Sequence, residues 1–414
     1  MKKKLFMCAG IVASFLLVSC TGNDAKKDEK NLELEGVIDY AYYFGEEGML
    51  ISNQKRIMYS DWDNVEFEYI CTDPSCSHTN EQCSSYGIGK ASNREDRLSF
   101  SIEYDGKLII FEKCTTVEVE KLDNDKSMTT TMYHTEIYEA KLDGTNRKHK
   151  LTMDGMTSSD QATAGVIVMG GRVYFGGPKH CVEITEYTTD AQGNEIINQS
   201  IDYDDALYCV DLADYSVKEY AAESNKTFVD YGSQIATYGG DVYYCLSSTE
   251  ACTTKIYKID AKTEKCELIC SEDGYYFLLG ALEETVYYTD IFKLYYRKTS
   301  DKDKQYVLEV PQIDMGVMAA VVGDKLAVMT SYMKEGDKYK IEYSFYNSDG
   351  EVTEKHSYNE YFTFMSAVDD KVVFIKVYDE QQMWWNDVND MENILENATY
   401  IGSFVGNEHD YLSK

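Results

Sequence analysis

The chain has 414 residues, a formal net charge of −32, 43% hydrophobic residues and only three prolines. That apolar content is enough for a full core, and so few prolines exclude long proline-rich linkers. The acidic balance repels phosphate backbones and anionic head groups, which excludes a nucleic-acid binder and favours a solvated exterior.

The first predicted element is a basic start at Lys2, Lys3 and Lys4, then an apolar run from Leu5 to Val18, closing on Leu17-Val18-Ser19-Cys20. This order is that of a secretory signal ending in a lipobox. The run is shorter than the roughly 20 residues a spanning helix needs. Residues 1–19 are therefore read as a signal peptide that is removed. Cys20 is read as the lipidated first residue of the mature chain, anchored in the cell membrane by acyl chains such as palmitate and working outside the cytoplasm. Without its three lysines the mature chain carries −32 − 3 = −35. Residues 20–36 form a tether, because 21–32 are polar and lack apolar periodicity.

From 37 to 414 one phrase recurs. A small or acidic turn pair precedes a polar residue and three or four alternating apolar positions, as in Asp105-Gly106-Lys107-Leu108-Ile109-Ile110-Phe111 and Gly170-Gly171-Arg172-Val173-Tyr174-Phe175. The post-turn residues Lys107, Arg172, Asp241, Thr285, Lys325 and Lys371 are spaced 65, 69, 44, 40 and 46 residues apart. A second phrase, such as Ile256-Tyr257-Lys258-Ile259-Asp260, follows the middle copies. Alternation at period two marks strands with one buried face, and the turn pairs mark hairpins. A repeat of about 40–50 residues built of short strands is the pattern of a β-propeller blade. The expected fold is all-β: one propeller over 37–414, with seven blades if an opening blade lies at Val37–Asp63 and a closing one after Phe362. Six or eight blades and a pair of β-sandwiches are the alternatives. The longer early spacings predict insertions such as 187–203. The stretch Asp387–Ala398 is the one candidate for a longer helix. The 36 tyrosines suit half-buried strands, where the ring packs and the hydroxyl stays wet.

Tyr287-Tyr288-Thr289-Asp290 resembles the Tyr-Trp-Thr-Asp motif of low-density-lipoprotein-receptor-type propellers, with one aromatic exchanged. The mature chain resembles a family of bacterial propeller lipoproteins of unknown function, and Cys71-Thr72-Asp73-Pro74-Ser75-Cys76-Ser77-His78 with Cys83 is similar to that family's Cys-x-x-Pro-x-Cys-x-His…Cys element. The resemblance implies fold and location, and it lends nothing to a catalytic claim.

Cys71, Cys76, His78 and Cys83 are the strongest candidate site. Three thiols and one imidazole can complete a tetrahedral zinc site. Cys76 and His78 are two apart and point the same way in an extended segment, while Asp73-Pro74 can turn Cys71 back beside them. The alternative is a disulfide-stapled loop, with Cys114 pairing the thiol left over. Either way the group pins a loop between the first two blades. Cys245, Cys252, Cys266 and Cys270 are further candidates for bridges. Asp202, Asp204 and Asp205, like Asp387 and Asp390, read as solvated acidic loops without an EF-hand pattern. Trp384 and Trp385 point to opposite sides of a strand, so one can pack while the other stacks on a sugar or anchors a peptide. No nucleophile elbow, zinc-protease helix or phosphate loop is present, and His134, His149, His180, His356 and His409 share no spacing. The expected function is a non-catalytic surface lipoprotein whose propeller binds an extracellular protein, peptide or glycan. A propeller hydrolase or lyase acting on extracellular polysaccharide, and a scaffold subunit of a surface complex, are the alternatives.

Overall fold

The computed structural model describes residues 34–39, 42–53, 56–63, 66–78, 82–86, 97–122, 126–154, 165–189, 195–225, 234–248, 250–290, 292–301, 305–310, 316–336, 338–368, 370–377 and 381–404. Cys20, the signal, most of the tether and His409 lie outside the described residues. Two units divide at Asn31, and all described residues belong to the second.

That second unit is all-β and propeller-like. Four separate four-stranded antiparallel sheets succeed one another along the chain, over 234–273, 277–308, 319–358 and 362–404. They follow a larger 13-stranded sheet built from 34–225. Within it, Leu34–Asp39 pairs antiparallel with both Tyr42–Gly45 and Val166–Met169, joining segments more than a hundred residues apart. Among the described residues no helix is long and apolar enough to cross a membrane.

The turn pairs of the sequence phrase become the hairpins they predict. Asp105 and Gly106 have φ of 49° and 66°, and Gly239 and Gly240 have 61° and 83°. Two adjacent positive φ values make the primed turn whose twist suits a two-residue hairpin. The strands flanking such turns differ from the expectation of one buried face. Val166–Met169 and Thr285–Thr289 are buried at every position. Each sheet packs between two others, so adjacent side chains on one strand serve different cores.

Those cores run from sheet to sheet. Ile167 and Tyr174 meet Val242 and Tyr244, and Tyr243 and Cys245 meet Val286 and Tyr288. Tyr287 meets Leu326 and Val328, and Tyr343 and Phe345 meet Phe362 and Phe374. One further core joins the last sheet to the beginning, with Val373, Ile375 and Met383 packed on Tyr42, Phe44 and Met49.

The tyrosines clasp these interfaces. Tyr287 donates to the Asn347 carbonyl at 3.0 Å, Tyr244 to the Ala206 carbonyl at 3.2 Å and Tyr343 to the Phe362 carbonyl at 3.0 Å. Each ring fills a core while its hydroxyl satisfies backbone on the neighbouring sheet. In the Tyr287-Tyr288-Thr289-Asp290 stretch, Asp290 accepts from the backbone of Phe292 and Lys293 and from the Tyr295 hydroxyl, so it fixes the turn to the next strand.

The long early spacing is taken up by a lengthened hairpin, in which 187–189 and 195–203 belong to the paired strands Arg172–Thr189 and Glu195–Asp211. Two expectations are corrected. Asp202, Asp204 and Asp205 lie in the second of these strands, not in a loop. The 388–397 stretch is a series of turns, in which the Asp390 carboxylate collects the side-chain amides of Asn393 and Asn397.

Candidate metal centre

Cys71, Cys76, His78 and Cys83 converge. Their ligand-capable atoms all lie within 4.8 Å of one another. A tetrahedron of about 2.3 Å zinc–sulfur bonds places its donors just under 4 Å apart, so closure needs only a small contraction. His78 Nδ1 is 3.3 Å from Cys83 Sγ, and the His78 amide donates to Cys76 Sγ at 3.4 Å.

Local sequence builds this geometry. Asp73 Oδ1 accepts from the Ser75 amide and hydroxyl, and the Cys76 amide donates to the Asp73 carbonyl at 3.1 Å. This is the turn that Asp73-Pro74 implies, and it brings Cys76 back beside Cys71. His78 adopts a left-handed φ of 55° and stacks on Tyr69, with ring centroids 4.6 Å apart. The Cys71 amide donates to Ser85 Oγ at 2.7 Å.

The loop is tied on both sides. The Ile57 amide donates to the Ser85 carbonyl at 2.8 Å, and Arg147 Nη2 donates to the Tyr86 carbonyl at 2.6 Å. Arg147 also pairs with Glu112 at 3.4 Å, whose side chain is almost fully buried. The centre therefore sits between the strand Arg56–Asp61 and the hairpin turn around Gly144.

None of the ten described cysteines is joined in a disulfide. Their electrostatics separate them into two groups. Burial opposes the Cys71 thiolate, yet hydrogen bonds from Ser84, the Asp73 backbone and the neighbouring thiols outweigh it and hold the thiol below its ordinary value. Burial pushes Cys83 up. Elsewhere burial raises Cys181 and Cys209 to about 12 and Cys270 to about 11, so these are inert core residues. Cys245 packs in the same core as Cys270.

The donor chemistry fits zinc. Three sulfurs and one imidazole fill four positions and leave none open for substrate, which is the arrangement of a structural site.

The remaining sequence candidates are scattered. Trp384 and Trp385 do face opposite sides, but both pack. Trp385 lies edge-on to Trp62 at 5.3 Å, while Trp384 contacts Tyr400 at 5.1 Å and carries the Lys376 ammonium 4.2 Å from its ring centroid. Four other histidines each meet a carboxylate. His134 and His149 share Glu136, His180 meets Asp154 and His356 meets Glu354.

Spacing did not reveal a cavity of about 460 Å³ between the 319–358 sheet and the 388–392 turns. Asp324, Lys325, Glu354, His356 and Glu392 line it together with Phe345, Val388 and Met391. Lys325 holds Glu354 at 2.5 Å and His356 holds it at 3.2 Å. These lining residues come from two sheets and span 71 positions, from Val322 to Glu392, so no local motif marks them.

No protein-family model matches the chain, and no curated protein matches it by sequence. Among solved structures, an oligogalacturonate lyase in complex with manganese is 12% identical over 67% of this chain and 83% of that one, with a TM-score of 0.36. Dipeptidyl peptidase 4 of Porphyromonas gingivalis is 8% identical over 94% of this chain and 63% of that one, with a TM-score of 0.39. The β-propeller domain of the Trilobed protease from Pyrococcus furiosus is 14% identical over 77% of this chain and 99% of that one, with a TM-score of 0.31. Similarity at this level transfers no activity, and the functional reading rests on the geometry of this chain.

Proposed function

We propose that this chain is a non-catalytic β-propeller binding module, anchored in the cell membrane through a lipid on Cys20 and displayed outside the cytoplasm. Its ligand is an extracellular protein, peptide or glycan. The propeller has seven blades, three of them merged in the large sheet. The count is supported by the succession of inter-sheet cores and by the core that packs the last sheet on Tyr42, Phe44 and Met49. Zinc at Cys71, Cys76, His78 and Cys83 staples the first two blades.

The observation that carries the binding reading is the cavity beside Glu354. Its volume lies in the range of small-ligand sites, and charged groups converge on it, as recognition of a polar ligand requires. The contacts that Glu354 makes with Lys325 and His356 hold the lining in place before a ligand arrives.

The test is a thermal-shift screen of the mature chain against glycans, cell-wall fragments and peptides, with metal content measured in parallel. A ligand at a hundred times its dissociation constant adds about 2.7 kcal/mol of stability. A shift that Glu354→Gln removes supports the reading, together with about one zinc per chain. Turnover of a polysaccharide in the panel overturns the non-catalytic assignment.

A further inference from the structure

The two longest hairpins of the large sheet run past the units they belong to and join. The first is Lys107–Leu122 with Lys126–Lys141, and the second is Arg172–Thr189 with Glu195–Asp211. Their distal halves pair with each other, from Val182 opposite Met132 to Tyr187 opposite Ser127. The result is a four-stranded arm at which neither outer strand has a further partner among the described residues. Arg97–Tyr104 pairs with the first outer strand only as far as Lys113. Val217–Asn225 pairs with the other outer strand only from Tyr203 onward.

Apolar side chains are exposed on this arm: Val117 is 40% exposed, Val119 64%, Ile196 41% and Ile197 53%. The outer strand Thr116–Lys121 reads Thr-Val-Glu-Val-Glu-Lys. The pleat puts Val117 and Val119 on one face of the arm and Glu118 and Glu120 on the other. An outer strand presents a row of backbone donors and acceptors, a ready template for one more strand.

We infer that Thr116–Lys121 is a β-augmentation site, and that its occupant is an extended polypeptide segment alternating apolar and basic residues. The match follows from cross-strand pairing. A strand added beside this one places each of its side chains next to a residue on the same face. Apolar residues then meet Val117 and Val119, and lysines or arginines meet Glu118 and Glu120. Six residues offer about 20 Å of edge. The charge pattern disfavours a second copy, since a like edge brings its own glutamates to a chain already at −32. The inference names a partner class for the binding reading and rests on it. The arm is separate from the Glu354 cavity.

The test uses the full mature chain and a capped, fluorescein-labelled octapeptide of alternating lysine and valine. Its comparators are the glutamate–valine octapeptide and a lysine–valine octapeptide N-methylated at every residue. Fluorescence polarisation is expected to show binding of the lysine–valine peptide alone, weakening as salt rises. The double variant Glu118→Lys, Glu120→Lys is expected to lose at least tenfold in affinity for that peptide and to accept the glutamate–valine one. Both substituted side chains are exposed, and circular dichroism with thermal unfolding confirms the fold. No binding to the unsubstituted chain, or equal binding of the methylated peptide, overturns the inference. Binding that the double variant leaves unchanged overturns the arm as its place while preserving a binding function elsewhere. Dimers in sedimentation that the double variant dissolves overturn it in favour of a second copy.

Discussion

Gly144 is where the proposed metal centre can be loosened without touching a ligand. It has φ of 75°, and a methyl group there falls against the Ser84 carbonyl, 2.8 Å from its carbon and inside contact distance of its oxygen. Ser84 follows Cys83 directly. Carbon contacts relax at about 3.5–4.0 Å, so Gly144→Ala must push this backbone back by close to 1 Å. Metal coordination tolerates deviations of about 0.2 Å. The control is Gly106→Ala, where φ is 66° and nothing lies within 4 Å of the added carbon. Both variants carry the left-handed penalty of roughly 1–2 kcal/mol, so their difference isolates the push on Ser84. Zinc affinity is measured by competition with a chromophoric chelator, and stability by urea unfolding. Gly144→Ala is expected to hold zinc at least tenfold more weakly, about 1.4 kcal/mol, and Gly106→Ala to hold it as the parent does. Equal zinc affinity in the two variants refutes the packing argument, and a parent chain without zinc refutes the metal reading itself.

Tyr287→Phe removes the hydroxyl that reaches the Asn347 carbonyl, which still accepts from the Gly350 amide, so the urea midpoint is expected to fall by the equivalent of about 0.5–1.5 kcal/mol. Phe362→Ala opens a cavity at a fully buried position ringed by Tyr343, Tyr358 and Phe374, and about 3–5 kcal/mol of stability is expected to go. Hydrogen bonds from Lys325 and then His356 hold the Glu354 carboxyl below its ordinary value of 4.5. A depressed carboxyl contributes stability that is fully present above its unfolded value and is lost as pH falls through the folded one. Unfolding followed below pH 4.5 should therefore show a slope that Glu354→Gln reduces, and an unchanged slope shows that the pair contributes nothing.

Much of the fold was legible because its causes are local. Asp105-Gly106 and Gly239-Gly240 announce hairpins through backbone conformations few other pairs adopt. The Cys71–Cys83 cluster was legible for the same reason, since a turn at Asp73 and a two-residue step to His78 bring its donors together. Burial on both faces was harder to read. Tyr287 and Tyr288 are adjacent, so period-two reasoning gives one of them to solvent, whereas each packs on a different neighbouring sheet. The high tyrosine count follows from that geometry as much as from strand preference.

What local signals missed are the pairings between distant segments. The sequence around 187–203 is polar and reads as an insertion, because nothing in it requires a core. Its described residues extend a hairpin whose first strand, at Val182–Tyr187, pairs with Ser127–Met132 about 55 residues away. Hydrogen-bonded register, not burial, orders that region, and register leaves little trace in hydrophobic pattern. The one trace is the Val-Glu-Val-Glu alternation at 117–120, which divides apolar from acidic side chains on a strand with no core beneath it. Elsewhere in this chain such alternation buries one set of side chains within the fold. On an exposed outer strand the same alternation keeps both sets available, and a complementary strand is the partner that would use the apolar and the charged set together.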